Sequence, residues 1–190
     1  MKTIGLTLLL LTSWCLGAQT PRPAGPPTAG RTLIVYFSHS GHTREIADEI
    51  QREVGGDRFE IQTVDPYPSD YDTVVKQART ELDTGFRPRL KGRVPHLEAY
   101  RMIFLGYPIW WGTVPRAVAV FLAENNLAGK TLAPFCTHEG SHLGQSVEDI
   151  RKLCPQTSLL DGLAIRGRDA GHAQGDVSAW LRKLAPAEPR

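Results

Sequence analysis

The chain has few cysteines, little net charge and no apolar run long enough to form a permanent membrane anchor. Its three Cys residues include no Cys-x-x-Cys pair, which excludes the simplest dithiol redox motif. The formal net charge is +2, and no basic stripe interleaved with aromatic residues is present. The composition therefore does not predict a nucleic-acid partner. The N-terminal apolar run, residues 4–11, is too short to span a bilayer permanently.

The beginning of the chain is expected to lie outside the folded domain. A basic residue, the apolar run and a small residue at Ala18 are typical of a signal peptide over residues 1–18. Residues 19–30 contain four Pro and predict a Pro/Gly-rich linker without regular structure. We therefore expect an exported protein, periplasmic or extracellular, with an uncleaved anchor as the alternative. The bulky Trp before Cys15 argues against a lipoprotein anchor.

Residues 31–185 are expected to form one domain, followed by a short tail at residues 186–190. Short apolar runs predict buried strands at residues 32–37, 58–62, 102–106, 131–136 and 159–165. Helical patterns lie between or after them, at residues 43–54, 71–82, 114–124, 146–153 and 177–184. Because short apolar strands alternate with helices, we predict an α/β fold whose mostly parallel sheet is covered on both faces.

Ligands of such sheets bind beyond the carboxyl ends of the strands. The loops after the first, third and fourth predicted strands are therefore expected to meet. These loops are residues 38–43, 107–115 and 137–144. They also have the most unusual compositions in the chain, and this agreement identifies the predicted site.

The first loop is rich in hydroxyl groups and precedes a predicted helix. Free backbone N–H groups and the positive end of the helix dipole suit a phosphate there. The loop lacks the Gly-Lys-Ser/Thr ending of a nucleotide-binding P-loop and the Gly-x-Gly-x-x-Gly pattern of a dinucleotide site. No Lys or Arg precedes Arg44, so neutral donors would bind a phosphate monoester. An ordinary capped turn is the alternative.

The second and third loops indicate a flat ligand with a polar edge. Trp110 and Trp111 are adjacent, and exposing both side chains is costly, so at least one is predicted to cover a ring. Packing of both over the sheet edge is the alternative. The third loop is polar and contains Gly140 and Gly144. Its N–H groups could surround the polar edge of a ring, and a solvent loop is the alternative.

The motifs Ser38-His39-Ser40-Gly41-His42-Thr43, Tyr-Pro-Ile-Trp-Trp-Gly and Cys-Thr-His-x-Gly-Ser-x-x-Gly occur in this order. They resemble the loops of a subgroup of flavodoxin-like proteins, and the resemblance extends over residues 32–184. It implies a three-layer flavodoxin-like sandwich with a five-stranded parallel sheet in the order 2-1-3-4-5. It also implies flavin mononucleotide (FMN) at the point where the strand order reverses.

The resemblance implies which residues bind FMN. The phosphate would be bound by Ser38, His39, Ser40, Gly41, His42 and Thr43. One side of the isoalloxazine ring would be lined by Pro108, Ile109, Trp110, Trp111 and Gly112. The pyrimidine edge would be met by Thr137, His138, Glu139 and Gly140. A backbone carbonyl near Gly112 would turn toward N5 of the reduced ring, and a protonated His138 would favour the anionic reduced flavin. No metal site is predicted.

Several functions remain open from the sequence. An electron carrier with a redox partner protein and an NAD(P)H-dependent, FMN-containing quinone-type reductase are both compatible with the motifs. The chain lacks the strong acidity of flavodoxins that serve partner reductases, and the secretion route would export it unfolded and without flavin. An exported, non-catalytic binding protein that has lost FMN is therefore a third possibility. A hydrolase using Ser40 is disfavoured because His42 breaks the Gly-x-Ser-x-Gly pattern.

Overall fold

The computed structural model describes residues 31–184. The predicted signal peptide (1–18), linker (19–30) and tail (186–190) lie outside these residues. No helix in the described part of the chain is both long and apolar enough to cross a membrane.

A parallel sheet forms the centre of the domain. Its strands are β1 (Arg31–Tyr36), β2 (Asp57–Glu60), β3 (Tyr100–Pro108), β4 (Thr131–His138), β5 (Ser158–Leu159) and β6 (Leu163–Arg166). The order is β2-β1-β3-β4-β5, with β6 also paired to β4, and every pairing is parallel. The predicted α/β fold and the order 2-1-3-4-5 are therefore confirmed, with a sixth strand added.

The sixth strand arises because the predicted fifth strand, residues 159–165, is divided in two. Both β5 and β6 pair with β4, and Leu160 donates its N–H to Leu132 O at 2.8 Å between them. Successive residues of a strand direct their backbone N–H and C=O groups toward opposite neighbouring strands. After Leu132, the next residue of β4 whose backbone groups face β5 and β6 is therefore Pro134. Proline has no N–H to donate. The ladder is therefore interrupted there and resumes at Leu163, which pairs with Phe135.

Helices cover both faces of the sheet. They are α1 (His42–Val54), α2 (Tyr71–Thr84), α3 (Arg116–Glu124), α4 (Ser146–Leu153) and α5 (Gln174–Leu184). Leu33 and Val35 of β1 join an apolar cluster with residues of α3 and α4. Ile34 and Tyr36 face the other way and join a cluster with α1 and α5. This alternation of side chains along β1 gives the sheet two buried faces.

The helix boundaries follow the local sequence closely. In α1, Ile46 and Ile50 are both fully buried, as their spacing of four predicts. The sequence predicts α3 from residue 114, but the helix begins at Arg116. Pro115 is its N-cap, and its carbonyl accepts the N–H groups of Val118 and Ala119.

Candidate functional site

The loops after β1, β3 and β4 lie together at the carboxyl ends of their strands. In the first loop, the ring of His39 packs against Trp110 of the second loop, with centroids 5.7 Å apart. The hydroxyl groups of Thr43 and Thr137 are 2.8 Å apart and join the first loop to the third. The convergence expected from a parallel sheet is thus present.

The second and third loops are also in contact. Gln145, directly after the third loop, donates its N–H to Gly112 O at 2.7 Å. Gly144 lies so close that a Cβ on it would be 2.3 Å from the same Gly112 oxygen. Only a residue without a side chain allows this approach. Ile109 adds a further link, since its N–H donates to Thr137 O at 2.8 Å.

The first loop presents unpaired backbone donors at the start of α1. Gly41 occupies the N-cap position, and no side chain caps the helix. Within residues 31–184, no acceptor is paired with the backbone N–H groups of residues 39–43. The Arg44 N–H does bind Ser38 Oγ, at 3.3 Å. Free N–H groups at a helix start carry partial positive charge, so the loop can bind an anion without a basic side chain.

A tight turn forms the tip of the second loop. The N–H of Trp110 donates to Thr113 O at 3.0 Å, and the N–H of Thr113 donates to Trp110 O at 3.1 Å. The two residues between them, Trp111 and Gly112, have φ values of 51° and 81°. Positive φ at both central positions is the pattern of a type I′ turn. Glycine adopts it without strain, whereas Trp111 must be held in it by other contacts.

The two tryptophans of this turn have different surroundings. Trp111 is 50% exposed and lies on α2, where its Nε1–H donates to Val75 O at 3.0 Å. The Arg79 guanidinium lies 5.2 Å from the centroid of the same ring. Trp110 is partly buried and contacts Tyr67 edge to face at 5.0 Å. Of the two, Trp110 is the tryptophan whose ring contacts the first loop, at His39.

The third loop holds His138 as a neutral ring. Its Nδ1 accepts the N–H of Gly140 at 2.9 Å, which leaves the ring proton on Nε2. Burial lowers the pKa of His138, and the charges of His142 and Arg166 lower it further. His138 is therefore neutral at neutral pH, and the protonated state considered from the sequence would require acidic solution.

The carboxyl end of β6 is a part of the site that was not predicted. Arg166 lies opposite His138 in the strand register. A Cβ on Gly167 would lie 2.6 Å from Glu139 Oε1 and 2.8 Å from His42 Nδ1, so the end of β6 touches both the first and the third loop. The sequence contains a signal for this position, because the last strand of a parallel sheet ends at the same edge as the others.

The remaining predicted residues lie at the margins of the site that the three loops form. Pro108 ends β3 and pairs with Thr137, and Ile109 packs against the apolar core. Ser40 is exposed, and its hydroxyl is 3.2 Å from His42 Nδ1. Among the described residues, no carboxylate hydrogen-bonds that imidazole, so Ser40 and His42 do not form part of a nucleophilic triad.

Cys136 and Cys154 are buried and are not bonded to each other. The Cys136 thiol donates to His142 O at 3.5 Å, and the Cys154 thiol donates to Leu122 O at 3.9 Å. Burial raises the pKa of Cys136 to about 12, so this thiol stays protonated and unreactive at neutral pH. The two residues therefore form no disulfide in the structure.

Two concavities lie at the other end of the sheet, away from the three loops. Their volumes are about 300 and 400 Å³, and both are lined by Arg31 and Asp57. These two side chains form an ion pair at 2.7 Å, and the Tyr100 hydroxyl donates to Asp57 at 2.7 Å. Neither concavity is lined by a residue of the predicted site.

A family model described as Flavodoxin matches residues 31–184. The chain belongs to the flavodoxin family. Several solved flavodoxin-like structures resemble it. A candidate flavoprotein from Bacteroides eggerthii is 30% identical, with a TM-score of 0.71, over 83% of this chain and 99% of that one. A candidate flavoprotein from Bacteroides uniformis is 28% identical, with a TM-score of 0.73, over 81% and 99% of the two chains.

A third similar structure is a flavoprotein from Lactobacillus acidophilus in complex with FMN. It is 20% identical, with a TM-score of 0.64, and the match covers 76% of this chain and 98% of that one. At this identity the likeness is one of fold. A comparison with curated proteins found no match.

The residues present in this flavodoxin-family domain fit FMN. A Cβ on Gly41 or Gly112 would meet no atom within 4 Å, and one on Gly140 would meet only Arg166 Nη2, at 3.9 Å. Each of the three loops thus presents bare backbone to open space. The unpaired N–H groups suit a phosphate, Trp110 suits a flat ring, and the third loop suits a polar ring edge.

Proposed function

We propose that this protein binds FMN between its three loops and transfers electrons through it. The observation that carries the proposal is the meeting of three chemically distinct loops at the carboxyl edge of the sheet, with contacts from His39 to Trp110 and from Thr43 to Thr137. FMN would supply the redox chemistry, and the protein would bind the flavin, orient it and adjust its potential.

The phosphate is assigned to the first loop. The free N–H groups of residues 39–43 would donate to it at the positive end of α1. The hydroxyl groups of Ser38 and Ser40 would add donors. The Thr43 hydroxyl is hydrogen-bonded to Thr137, so its role is to hold the loop in place.

The isoalloxazine ring is assigned to the space between the second and third loops. Trp110 would lie beside it, while Trp111 would anchor the turn on α2 through its bond to Val75. The Gly112 carbonyl is already hydrogen-bonded to the Gln145 N–H. Among the described residues, no donor is paired with the Trp111 carbonyl. The Trp111 carbonyl, rather than that of Gly112, would therefore be the one free to accept a hydrogen bond from the ring.

The polar ring edge is assigned to the third loop. Glu139 and Gly140 would provide polar contacts along it. Thr137 would hold the loop against α1 through its bond to Thr43. Neutral His138 would offer its Nε2–H as a donor, because its Nδ1 is occupied by the Gly140 N–H.

An NAD(P)H-dependent reductase of a quinone-type acceptor is the second candidate function. The charge of the chain favours it over a carrier. A carrier that meets a basic partner is steered by strong acidity, and this chain has a formal net charge of +2. Steady oxidation of NADH or NADPH in the presence of a quinone would support the reductase. Electron exchange with a partner protein and no such turnover would support the carrier.

The first experiment is a titration of the cofactor-free protein with FMN, followed by the quenching of flavin fluorescence. We expect saturable quenching, with riboflavin binding more weakly because it lacks the phosphate. Circular dichroism of the same sample establishes that the domain is folded. A folded domain that does not quench FMN would overturn the proposal and favour a binding protein without flavin.

We further propose that residues 1–18 direct export. The Pro-rich stretch that follows them would separate the folded domain from the cleavage site. Intact mass spectrometry of protein recovered outside the cytoplasm should show a chain that begins at Gln19. Recovery of the uncleaved chain from the membrane fraction would instead support the anchor.

A further inference from the structure

Arg166 lies beside the residues assigned to the polar edge of the flavin. It ends β6 and is the register partner of His138. One of its guanidinium nitrogens lies 3.9 Å from where a Cβ of Gly140 would stand. The side chain is half-buried, so its charge is only partly screened by solvent.

The Arg166 guanidinium has no direct side-chain partner among the described residues. Within residues 31–184 it forms no ion pair and no side-chain hydrogen bond. The carboxylate of Glu139 lies at Gly167, with Oε1 2.6 Å from where a Cβ of Gly167 would stand, and it forms no ion pair with Arg166. Arg168, two residues further on, is exposed and lies 3.6 Å from Asp169. A guanidinium without a protein partner leaves its N–H donors and its charge available to a negatively charged ligand.

We propose that Arg166 raises the reduction potential of bound FMN by placing a permanent positive charge at the pyrimidine edge of the ring. This inference rests on the proposed binding of FMN. Two electrons from an external reductant and one proton from solvent convert oxidised flavin to its anionic reduced form. The added negative charge lies largely on the N1–C2=O edge, where a nearby cation stabilises it. Because His138 is neutral at neutral pH, Arg166 is the constant positive charge beside that edge.

The test compares three variants of the full chain loaded with FMN. Arg166→Gln removes the charge, Arg166→Lys keeps it, and Arg168→Gln removes a charge two residues away on the exposed surface. The first measurement is the midpoint potential against indicator dyes. The second is the affinity for sulfite, which adds its lone pair to N5 of the oxidised ring and leaves negative charge at N1. Neither measurement depends on turnover.

We expect Arg166→Gln to bind sulfite about tenfold more weakly, because it removes the attraction between the guanidinium and the negative charge at N1. The midpoint potential should fall by about 30 mV, the equivalent of about tenfold for a two-electron couple. Arg166→Lys should retain most of both properties, and Arg168→Gln should match the parent. Circular dichroism establishes that each variant is folded. If Arg166→Gln does not fold, Arg166→Lys and Arg168→Gln can still be compared with the parent.

Three results would overturn this role. Unchanged potential and sulfite affinity in Arg166→Gln would show that the charge is remote from N1. Equal losses in Arg166→Gln and Arg168→Gln would show a diffuse field. A loss of affinity for FMN but not for riboflavin would make Arg166 a phosphate ligand. All three require a parent that binds FMN, whereas a parent that does not bind it overturns the proposed function as well.

Discussion

The hydroxyl groups of Thr43 and Thr137 lie 2.8 Å apart although the residues are 94 positions apart in the chain. Thr43 is in the first turn of α1 and Thr137 is near the end of β4, and both are buried. The hydrogen bond therefore fixes the start of the helix against the third loop. Each hydroxyl carries one proton, so only one of the two residues donates in this bond.

Replacing either threonine should destabilise the domain. We expect Thr43→Val and Thr137→Val each to lower the free energy of unfolding by about 1–2 kcal/mol, because each leaves the other buried hydroxyl unpaired. The double variant should cost less than the sum, since it leaves no orphaned hydroxyl. Urea unfolding of the cofactor-free proteins measures all three. A strictly additive double variant would show that the two hydroxyls do not interact.

Gly112 should resist substitution because of its backbone conformation. Its φ of 81° lies in the left-handed region, and a Cβ there would meet no atom within 4 Å. Gly112→Ala should therefore cost about 1–2 kcal/mol through backbone strain alone, with no steric clash.

Gly175 provides the control for this substitution. It lies in α5, has no positive φ and also faces open space, so Gly175→Ala should stabilise the domain by about 0.5–1 kcal/mol. Thermal unfolding of the two variants should thus shift in opposite directions. A Gly112→Ala variant as stable as the parent would argue against the type I′ turn.

The two neighbouring tryptophans should contribute differently to FMN binding. Trp110→Leu should weaken FMN binding by about 1 kcal/mol, or roughly fivefold, because it removes the aromatic side chain assigned to the ring. Trp111→Leu should leave FMN affinity close to that of the parent, since its indole is bound to Val75 and Arg79 on α2. Fluorescence titrations of both variants test the pair. The reverse ranking would place Trp111 against the flavin.

The neutral state of His138 should make stability depend on pH. Its pKa is lowered in the folded protein, so the unfolded chain binds this proton first as the pH falls below its ordinary value of about 6.5. The stabilisation is therefore present above that pH and is lost as the pH falls toward the folded-state pKa.

His138→Asn should reduce this loss. The Asn side-chain oxygen can accept the Gly140 N–H as the imidazole does, but it does not titrate. We expect a smaller drop in the free energy of unfolding between pH 7.5 and pH 5.5, about one unit to either side of the ordinary His pKa. Urea unfolding at both pH values gives the comparison. Identical drops in the parent and the variant would show that His138 titrates alike in both states.

Most of the secondary structure could be predicted because it depends on local patterns. The helix over residues 146–153 has the predicted bounds, and α1 differs from its predicted start by one residue. The division of the fifth strand could not be predicted from that strand's own apolar pattern. It follows from Pro134, which lies on the neighbouring strand and lacks the N–H that would continue the ladder.

The sequence by itself determined an α/β domain with three unusual loops at one edge of its sheet, because the alternation of apolar strands with helices is a local pattern that requires no knowledge of distant contacts. Only the tertiary structure decided which tryptophan contacts the first loop, which nitrogen of His138 carries the proton, and that Arg166 lies beside Gly140. Each of these outcomes depends on side-chain contacts within the folded loops and strands. Their geometry is set by packing and hydrogen bonding after the chain has folded, and residue type and spacing alone do not specify it.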